Sequence, residues 1–594
     1  MKVLIADTET DGFLEHVTKL WVLCIKEIGK PVERYSSNAG NLQAGLDRLK
    51  EADLVVFHNG LNYDVPVLKK LYGNDVIDHK KTYDTLVAAR LFDPEAKDGH
   101  SLAAWGERMG FPKGDHSDFS KWSQEMEDYC VRDVEVLERL YLMLMKRLVG
   151  QEVSVKLEHE FAWVIGLQMQ NGFGFDVKKA QSIVSDLSQE QADAERDLKV
   201  AFGPRWKKIE TVIPKASNKA KGIEKGIEFS KVAYEEFNPG SRQMIADRLK
   251  AKYGWKPTAF TDSGQVQVDE KVVRELPYPE AKLLLHYLRL DKMLGMLDGP
   301  VKKNGSGGGW LKHEKNGRIY GYVNSNGAVT GRCTHSRPNV ANADKDKRMR
   351  SLWIPRVGWV LVGSDAEGLE LRMLGHYLAK YDGGAYSRAV VEGKKEDKTD
   401  AHSITQKIVG LYKRDIAKIF IYAMIYGAGD AKLGQTIVDD ALEAGQPRPQ
   451  GSLSTIGKTA RDKLAKGLTG YGQLVQGVQF KVKKTGKLRG LDGRTLNVRS
   501  AHSALNTLLQ SAGAIVMKKA AALFHEAFKG SYGTEWAYCA NVHDEVQIEA
   551  KDATLAASLG ASFADCIRQA GIDLGVRCPL AGAYDVGANW SETH

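Results

Sequence analysis

The chain has few cysteines, and none are in a paired spacing. Six cysteines are scattered over 594 residues, and no two of them form a Cys-x-x-Cys pair. This distribution argues against a disulfide framework and a structural zinc site, and it fits a reducing compartment. No stretch approaches the ~20 consecutive apolar residues of a membrane-spanning helix, and the N-terminus lacks the pattern of a secretory signal. We therefore expect a soluble intracellular protein.

The charge balance is basic but not extreme. Lysine and arginine number 84 against 75 acidic residues, which gives a formal net charge of +9. This sign suits a polyanionic partner, although many soluble proteins without such a partner are equally basic. The length allows several domains, each with its own core. A glycine-rich tract at 302–309 predicts a flexible linker.

Two acidic residues follow the first apolar run of the chain. Residues 3–6 have the pattern of a buried strand, and Asp7 and Glu9 come directly after it. Residues two apart on an extended chain share a face, so the two carboxylates point the same way. Such carboxylates repel each other unless a positive charge lies between them, and a divalent cation is the usual solution. The motif alone is weak, because Asp-x-Glu is more often part of a solvated loop.

Two further acidic residues belong to other predicted elements, one after a strand and one within a helix. A second apolar strand at 54–57 leads into a turn that ends at Asp64. Further along, Tyr129 and Asp133 lie four residues apart in a helical pattern, which puts them on one face of the helix. A Tyr-x-x-x-Asp pair alone is usually a pair on a helix surface. The order and spacing of all these motifs together indicate one acidic site.

These motifs resemble the three motifs of the DEDD superfamily of 3′–5′ exonucleases, in its tyrosine-bearing branch. The resemblance implies that two divalent metals are held by Asp7, Glu9, Asp64 and Asp133. It also implies that Tyr129 orients the attacking water. Two metals about 3.5–4 Å apart make a water nucleophilic and stabilise the leaving oxygen. All four carboxylates are present, so we expect an active nuclease domain.

The C-terminal half repeats the pattern of an acid at the end of a strand. Residues 359–365 are typical of a buried strand that ends in Asp365, and residues 541–549 predict a tight hairpin with Asp544 at its tip. In most proteins either residue alone would be a turn residue. Two such acids on neighbouring strands form the simplest site for two-metal phosphoryl transfer.

A helix predicted over 414–426 carries two cations and two phenols on one face. Arg414, Lys418, Tyr422 and Tyr426 follow at four-residue steps, and the positions between them are mostly apolar. One interpretation is a buried helix whose arginine and lysine reach solvent. The other is a platform for a nucleoside triphosphate, in which the cations bind phosphates and a tyrosine packs under the sugar and base. Taken alone, the helix does not decide between them.

These segments resemble motifs A, B and C of family A DNA polymerases, in particular those of short-tailed bacteriophages of the T-seven type. The resemblance runs in order over essentially the whole chain, with further matches at 330–335, 368–372 and 490–514. It implies an α/β multidomain fold, in which an RNase H-like exonuclease domain precedes a right-hand polymerase with palm, fingers and thumb. The implied activity is DNA-templated DNA synthesis with 3′–5′ proofreading, in the replication of a phage genome.

The resemblance gives roles to the residues of the polymerase motifs. Asp365 and Asp544 would ligate the two catalytic metals, with the Ala366 carbonyl as a further ligand. The expected metal is Mg²⁺, with two ions in each active site, and Mn²⁺ as a substitute. Glu370 would occupy the place of a ribose 2′-hydroxyl and so exclude ribonucleotides.

Other residues would bind the nucleotide and the DNA. Arg414 and Lys418 would bind the triphosphate, with assistance from His402. Tyr422 would pack on the sugar, and Tyr426 would stack on the template side. The residues expected along the minor groove of the primer–template are Arg332, His502, Asn506, Gln510 and His543. Acceptors in that groove are common to all base pairs, so such donors can test pair geometry without reading sequence.

The same resemblance predicts the domain boundaries. The exonuclease domain is expected at 1–150, the thumb at 151–310, the first part of the palm at 311–385, the fingers at 386–490 and the second part of the palm at 491–594. Within the thumb, residues 203–236 lose apolar periodicity and gather lysines. This connector is predicted either as a solvated loop or as a segment that lies on the phosphates of a duplex.

The expected partners are primer–template DNA and deoxynucleoside triphosphates, with a replicative helicase-primase and a single-strand binding protein as further candidates. Polymerases of the T-seven type have a longer insertion at the connector, which recruits host thioredoxin. The short connector of this chain puts that partner in doubt. The expected location is the cytoplasm of an infected host bacterium, without membrane association.

Two other functions would use parts of the same pattern. One is a nuclease whose C-terminal half only binds duplex DNA, and the paired acids together with Arg414 and Lys418 speak against it. The other is a single-subunit RNA polymerase, which shares the palm architecture. The predicted proofreading domain and Glu370 favour deoxynucleotides instead.

Overall fold

The computed structural model describes residues 1–261, 263–301 and 307–594. The chain divides into two compact units. The first contains Met1–Phe173, Gly321–Ala341 and Ile354–His594, and the second contains Gly174–Tyr320 and Asn342–Trp353. Most of the predicted glycine-rich linker, residues 302–306, lies outside the described residues. Within the described ranges, no helix is both long and apolar enough to cross a bilayer.

A five-stranded mixed sheet begins the first unit. Its strands are β1 (Val3–Thr10), β2 (Leu20–Glu27), β3 (Val32–Ser36), β4 (Leu54–Phe57) and β5 (Thr82–Asp84). They lie in the order β3-β2-β1-β4-β5. Strands β1 to β3 pair antiparallel, β4 is parallel to β1, and β5 is parallel to β4. This is the RNase H-like topology that the sequence resemblance predicts.

Helices cover both faces of this sheet. They are α1 (Leu42–Lys50), α2 (Asp64–Tyr72), α3 (Thr85–Phe92), α4 (Leu102–Arg108) and α5 (Gln124–Arg147). Ile5 packs on one face with Val134 and Leu137 of α5, whereas Leu4 packs on the other face with Leu46 of α1. Successive side chains of a strand point to opposite faces, so the apolar residues of β1 can be buried on both sides.

After α6 (Glu152–Asn171), the chain enters the mainly helical second unit. Its elements are β6 (Phe173–Phe175), α7 (Val177–Phe202), β7 (Arg205–Val212), β8 (Phe229–Glu235), α8 (Arg242–Tyr253), α9 (Glu270–Arg274), α10 (Ala281–Asp298), α11 (Trp310–His313), β9 (Glu314–Lys315) and β10 (Arg318–Ile319). The long helices α7 and α10 pack against each other.

The connector at 203–236 contains an antiparallel hairpin. In the pairing of β7 with β8, Trp206 is opposite Tyr234, and the two rings pack with their centroids 5.3 Å apart. Aromatic cross-strand pairs of this kind stabilise a hairpin. A register shift between Lys208 and Glu210 interrupts the alternation along β7. The prediction of a loop is therefore wrong for these strands. The bulge breaks the two-residue period in β7, and most side chains of both strands are exposed, so no apolar alternation reveals them.

A four-stranded antiparallel sheet in the order β17-β18-β14-β19 organises the C-terminal part of the first unit. The remaining strands are β11 (Tyr322–Asn324), β12 (Thr334–Ser336), β13 (Trp353–Ile354), β14 (Val360–Ala366), β15 (Lys487–Arg489), β16 (Thr495–Asn497), β17 (Trp536–Val542), β18 (Glu545–Ala550) and β19 (Gly582–Gly587). The short helix α12 (Lys347–Arg350) belongs to the second unit. The helices that follow it are α13 (Leu369–Asp382), α14 (Ala385–Val391), α15 (Ala401–Val409), α16 (Arg414–Ile425), α17 (Asp430–Glu443), α18 (Leu453–Gly467), α19 (Tyr471–Thr485), α20 (Ala504–Phe528) and α21 (Ala553–Asp573).

Aromatic residues join this sheet to its helices. Phe524 of α20 contacts the rings of Trp536, Tyr538 and Phe563. Phe563 lies on α21, which packs on β14 and β19. The apolar core therefore fixes β14, which carries Asp365 near its end, and β18, which begins directly after Asp544.

Candidate active sites

The first candidate site lies where β14 and β18 pair. Asp365 of β14 is opposite Glu545 of β18, which places it beside Asp544 at the tip of the β17–β18 hairpin. The Ala366 backbone N–H donates a 3.0 Å hydrogen bond to the Asp544 carbonyl. His543 adopts a positive φ of 60° in the turn. Strand pairing therefore brings together two acids that lie far apart in the sequence.

Burial and mutual repulsion affect both carboxylates. Burial, followed by the charges of Asp544 and Glu545, raises the pKa of Asp365 to about 7. The pKa of Asp544 is also raised, first by burial and then by Glu370. A divalent cation would relieve this repulsion, and carboxylate oxygens are its preferred ligands. Asp365 and Asp544 therefore fit a site for hard divalent cations.

A third acid beside them, Glu545, was not singled out by sequence reasoning. Its carboxylate accepts a 2.7 Å hydrogen bond from Gln547 Nε2 and another from Trp590 Nε1, and it lies 2.8 Å from His594 Nδ1. Burial acts to raise the pKa of Glu545, but these partners outweigh burial and lower it. The C-terminal residues therefore keep an ionised acid next to Asp544.

The helix α16 is amphipathic. Tyr426 is its C-cap, one residue beyond its end. The buried face contains Ala417, Phe420, Ile421, Met424 and Ile425. Lys418 is exposed and Tyr422 is half-buried, and the rings of Tyr422 and Tyr426 stack with centroids 6.4 Å apart. The stripe of cations and phenols therefore lies outside the buried face, as both interpretations of this helix require.

Arg414 is held by an acid that sequence reasoning also missed. Its Nη2 donates a 2.7 Å hydrogen bond to Asp400 Oδ1. Asp400 is the N-cap of α15 and also accepts from the backbone N–H groups of His402 and Ser403. Burial acts to raise the pKa of Asp400, but its hydrogen bonds, led by that from Arg414, hold the pKa well below its usual value. Asp400 therefore places Arg414 and His402 next to each other.

Glu370, the predicted sugar filter, contacts two other predicted residues. Tyr426 Oη donates a 2.6 Å hydrogen bond to Glu370 Oε1, and Arg332 Nη2 lies 3.3 Å from the same oxygen. Burial and then this hydrogen bond raise the pKa of Tyr426. Tyr426 and Arg332, expected to contact the template side and the minor groove, thus also fix the Glu370 carboxylate.

The other predicted minor-groove residues come from α20, the turn before it and the hairpin tip. Asn506 and Gln510 lie one turn apart on α20, and His502 is in the preceding turn. His502 Nε2 is 3.3 Å from the carbonyl of Gly427, just after α16. Burial lowers the pKa of His543 at the hairpin tip. The start of α20 therefore meets the end of α16.

The second candidate site is at the C-terminal end of β1. Asp7 and Glu9 share a face of this strand, and Asp64 is the first residue of α2. Tyr129 and Asp133 lie on α5, which packs on β1. The structure thus brings together the residues that the exonuclease motifs predict.

The four acids of this second site repel one another. Burial and then Asp133 raise the pKa of Glu9 to about 8. Burial also raises the pKa of Asp64 to about 7, and burial followed by Glu9 raises that of Asp7. Asp133 Oδ1 is buried and has no hydrogen-bond partner among the described residues. Repelling acids with an unpartnered carboxylate oxygen fit divalent cations.

Two residues that the motifs do not specify join this site. Cys130 Sγ lies 3.6 Å from Asp7 Oδ2, and Cys130, Asp7 and Glu9 have potential ligand atoms within 4.8 Å of one another. Lys113 Nζ lies 2.7 Å from Asp133 Oδ2. Cys130 could have been found from its place beside Tyr129 on α5. Lys113 lies in the irregular segment 109–123, where no periodicity marks it.

Comparisons with known proteins bear on the family and the fold of this chain. A family model described as DNA polymerase family A matches residues 207–592. The DNA-directed DNA polymerases of Enterobacteria phage T3 and Escherichia phage T7 are 32% and 31% identical over 719 aligned residues, covering all of both chains. The POL domain of Pol1 from M. smegmatis, solved with DNA primer-template and dNTP, matches with a TM-score of 0.73. That match covers 99% of this chain and 96% of the other, and at 15% identity it shows the fold.

Proposed function

Because this chain belongs to family A of the DNA polymerases, we propose that it replicates a phage genome and proofreads its own product with a 3′–5′ exonuclease. The polymerase is DNA-directed, so its substrates are primer–template DNA and deoxynucleoside triphosphates. Synthesis would occur at Asp365 and Asp544. Proofreading would occur at the separate acid cluster of Asp7, Glu9, Asp64 and Asp133.

The polymerase site would combine an acidic part and a basic part. Asp365 and Asp544, with the Ala366 carbonyl, would hold two Mg²⁺ ions, with Mn²⁺ as a substitute; bound metal activates the attacking hydroxyl and neutralises developing phosphate charge. Arg414 and Lys418 would donate charge-assisted hydrogen bonds to the triphosphate. The observation that carries this proposal is the pairing of β14 with β18, which sets two half-buried acids with raised pKa values side by side.

The sugar and the base pair would be checked by residues around α16. Tyr422 would pack on the sugar of the incoming nucleotide. Glu370 would exclude a ribose 2′-hydroxyl, because its carboxylate is fixed by Tyr426 and Arg332. His402 would assist Arg414 at the triphosphate, and Tyr426 would stack on the template side. Along the minor groove, donors would come from Arg332, His502, Asn506, Gln510 and His543.

The exonuclease site would use its own pair of metals. Asp7, Glu9, Asp64 and Asp133 would hold them, and Tyr129 would orient the attacking water through its hydroxyl. The support is the gathering of acids with raised pKa values at one end of an RNase H-like sheet. Excision at this site would shorten a primer whose last base is mispaired.

Primer extension tests the polymerase part of the proposal. We expect the wild-type chain to extend a matched primer with deoxynucleotides and to reject ribonucleotides. Asp544→Ala should lower the rate by at least about 10³-fold, since it removes a proposed metal ligand. Asp585→Ala, which changes an exposed acid of the same sheet, should not lower it. Extension by Asp544→Ala at the wild-type rate would overturn the proposed site, and a preference for ribonucleotides would favour an RNA polymerase.

The proposed partners include a replicative helicase-primase and a single-strand binding protein, in the cytoplasm of the infected bacterium. The alignments with the T3 and T7 polymerases extend over 719 residues, so those relatives contain segments that this 594-residue chain lacks. The connector of this chain is largely taken up by the β7–β8 hairpin. We therefore expect product length on a long template to be independent of added host thioredoxin, and a strong increase would contradict this.

A further inference from the structure

Lys113 lies among the exonuclease acids although it belongs to no motif. Its Nζ is 2.7 Å from Asp133 Oδ2 and 4.5 Å from the centre of the Tyr129 ring. Its positive charge also acts on Asp7 and Glu9. The side chain is only 22% exposed. The ammonium group therefore belongs to the acid cluster itself and is not a cation on its rim.

The backbone just before Lys113 is firmly held. Phe111 lies between the guanidinium groups of Arg132 and Arg139, each 3.4 Å from the centre of its ring. Arg132 Nε also donates a 2.8 Å hydrogen bond to the carbonyl of Pro112. Both arginines lie on α5, the helix that carries Tyr129 and Asp133. Lys113 is thus attached to the same helix as two of the proposed exonuclease residues.

The backbone after Lys113 is held as well. Trp21 Nε1 donates a 3.0 Å hydrogen bond to the carbonyl of Phe119, and the Phe119 ring lies 6.2 Å from that of Tyr129. His116 packs between them, with its ring centre 4.9 Å from Phe119 and 5.8 Å from Tyr129. A cation on a backbone held at both ends is preorganised, so little conformational freedom is lost when it binds a ligand.

We propose that Lys113 binds the scissile phosphate of a DNA strand in the exonuclease site, an inference that rests on the proposed exonuclease function. Four carboxylates alone would repel a phosphodiester, and a lysine ammonium is a compact charge that commonly binds phosphate. Negative charge on the phosphate oxygens is stabilised by a preorganised cation during phosphoryl transfer. Asp133 would hold the ammonium in place for the incoming phosphate. The alternative is a counter-ion that only relieves repulsion among the acids.

Three variants separate these roles. Lys113→Met removes the charge and keeps an unbranched chain over Tyr129, Lys113→Arg keeps the charge, and Lys121→Met removes an exposed lysine from the same segment. The readouts are kcat and KM for cleavage of single-stranded DNA in Mg²⁺. A further readout is the salt dependence of Kd, measured in EDTA with a single strand that ends in 2-aminopurine. Thermal unfolding midpoints show whether each variant is folded.

If Lys113 binds the scissile phosphate, the three variants should differ in rate and in the salt dependence of binding. Lys113→Met should lower kcat by about 10²-fold, weaken binding in EDTA, and reduce the slope of log Kd against log salt by about 0.7, the value for one phosphate contact on a single strand. Lys113→Arg should restore most of the slope and the rate. Lys121→Met should behave as wild type in all measurements.

The opposite pattern would overturn the proposal. A counter-ion role predicts that Lys113→Met lowers the unfolding midpoint while the salt slope stays at the wild-type value. An unchanged kcat in a folded Lys113→Met variant would overturn it equally. If the wild-type chain cleaves no DNA at all, the exonuclease function itself fails, and the salt slope in EDTA still decides whether Lys113 contacts a phosphate.

Discussion

The two candidate sites both contain acids at the end of a buried strand, but their cations are placed differently. In the proposed exonuclease site, Lys113 contacts Asp133 within the acid cluster. In the polymerase site, Arg414 contacts Asp400, the cap of a separate helix. The first site is a mixed cluster of charges. In the second, Arg332 lies beside Glu370, but Arg414, the proposed triphosphate ligand, has a carboxylate partner of its own on an element other than the strands with the paired acids.

This difference matches the size of the two proposed substrates. A single phosphodiester can contact acids and a cation only if they lie close together. A triphosphate is longer, so one end can meet the acids of β14 and β18 while the other meets the cations of α16. The acids and the cation of the proposed exonuclease site already lie together before substrate binds, whereas the nucleotide itself would join the two parts of the polymerase site.

Among the changes that test this comparison, removal of the separate cation, Arg414, should have the largest effect. Arg414→Ala should lower kcat/KM for deoxynucleotide incorporation by about 10²-fold, since a charge-assisted hydrogen bond contributes up to about 3 kcal/mol. Asp400→Asn should cost less, about 10-fold, because it keeps the cation and weakens only its orientation. Steady-state incorporation of one nucleotide measures both. If Arg414→Ala lowered the exonuclease rate by the same factor as nucleotide incorporation, the two sites would not act separately.

A smaller effect is expected from the raised pKa values. Glu9 and Asp365, with pKa values of about 8 and about 7, bind more protons in the folded than in the unfolded chain between about pH 4.5 and 8. Metal-free protein should therefore lose stability as pH rises. Buried histidines such as His79, with its pKa lowered to about 4, oppose this trend only below about pH 6.5, because above that they are neutral in both states.

The measurement is the thermal unfolding midpoint in EDTA between about pH 6.5 and 8. In this range the acids with raised pKa values still lose protons, whereas the buried histidines are neutral in both states. We expect the midpoint to fall with pH, and Mg²⁺ to raise it most at the upper end. Glu9→Gln should flatten the decline more than Asp365→Asn, because Glu9, with the higher pKa, stays protonated in the folded chain over more of this range. A midpoint that rises with pH in EDTA would contradict the assignment of both acid groups.

The smallest expected effect concerns the sugar filter. Tyr426→Phe removes the 2.6 Å hydrogen bond to Glu370, which should reduce discrimination against ribonucleotides by about 10-fold, the value of one hydrogen bond to a charged group. The ratio of kcat/KM for deoxy- and ribonucleotides measures this. Tyr412→Phe, a change at an exposed tyrosine just before α16, is the matched control. If Tyr426→Phe and Tyr412→Phe gave the same ratio, the hydrogen bond from Tyr426 would not be what keeps Glu370 in position to exclude ribonucleotides.

Local patterns in the sequence predicted the features that depend on neighbouring residues. The two-residue period of β1 predicted that Asp7 and Glu9 share a face, and the four-residue steps of α16 predicted its stripe of cations and phenols. The hairpin tip at Asp544 followed from a short turn between apolar strands. These features are confirmed because backbone geometry alone determines them.

Other features depend on contacts that no local pattern encodes. Lys113 meets Asp133 across 20 positions, and Trp590 meets Glu545 across 45. Asp400 has the local pattern of an ordinary helix cap, and only the packing of α15 on α16 makes it the partner of Arg414. The β7–β8 hairpin was missed because its bulge interrupts the strand period. Irregular segments and tertiary pairs thus account for what the sequence left unpredicted.

Two separate reactions in one chain can be tested directly with a primer that ends in a mismatch, in the presence of deoxynucleotides. The wild-type chain should first shorten this primer and then extend it to full length. Asp7→Ala should stall at the mismatch but still extend a matched primer. Asp544→Ala should only shorten the primer. If Asp7→Ala still excised the mismatch, or if either substitution abolished both reactions in a folded protein, the account of two independent acid sites would be contradicted.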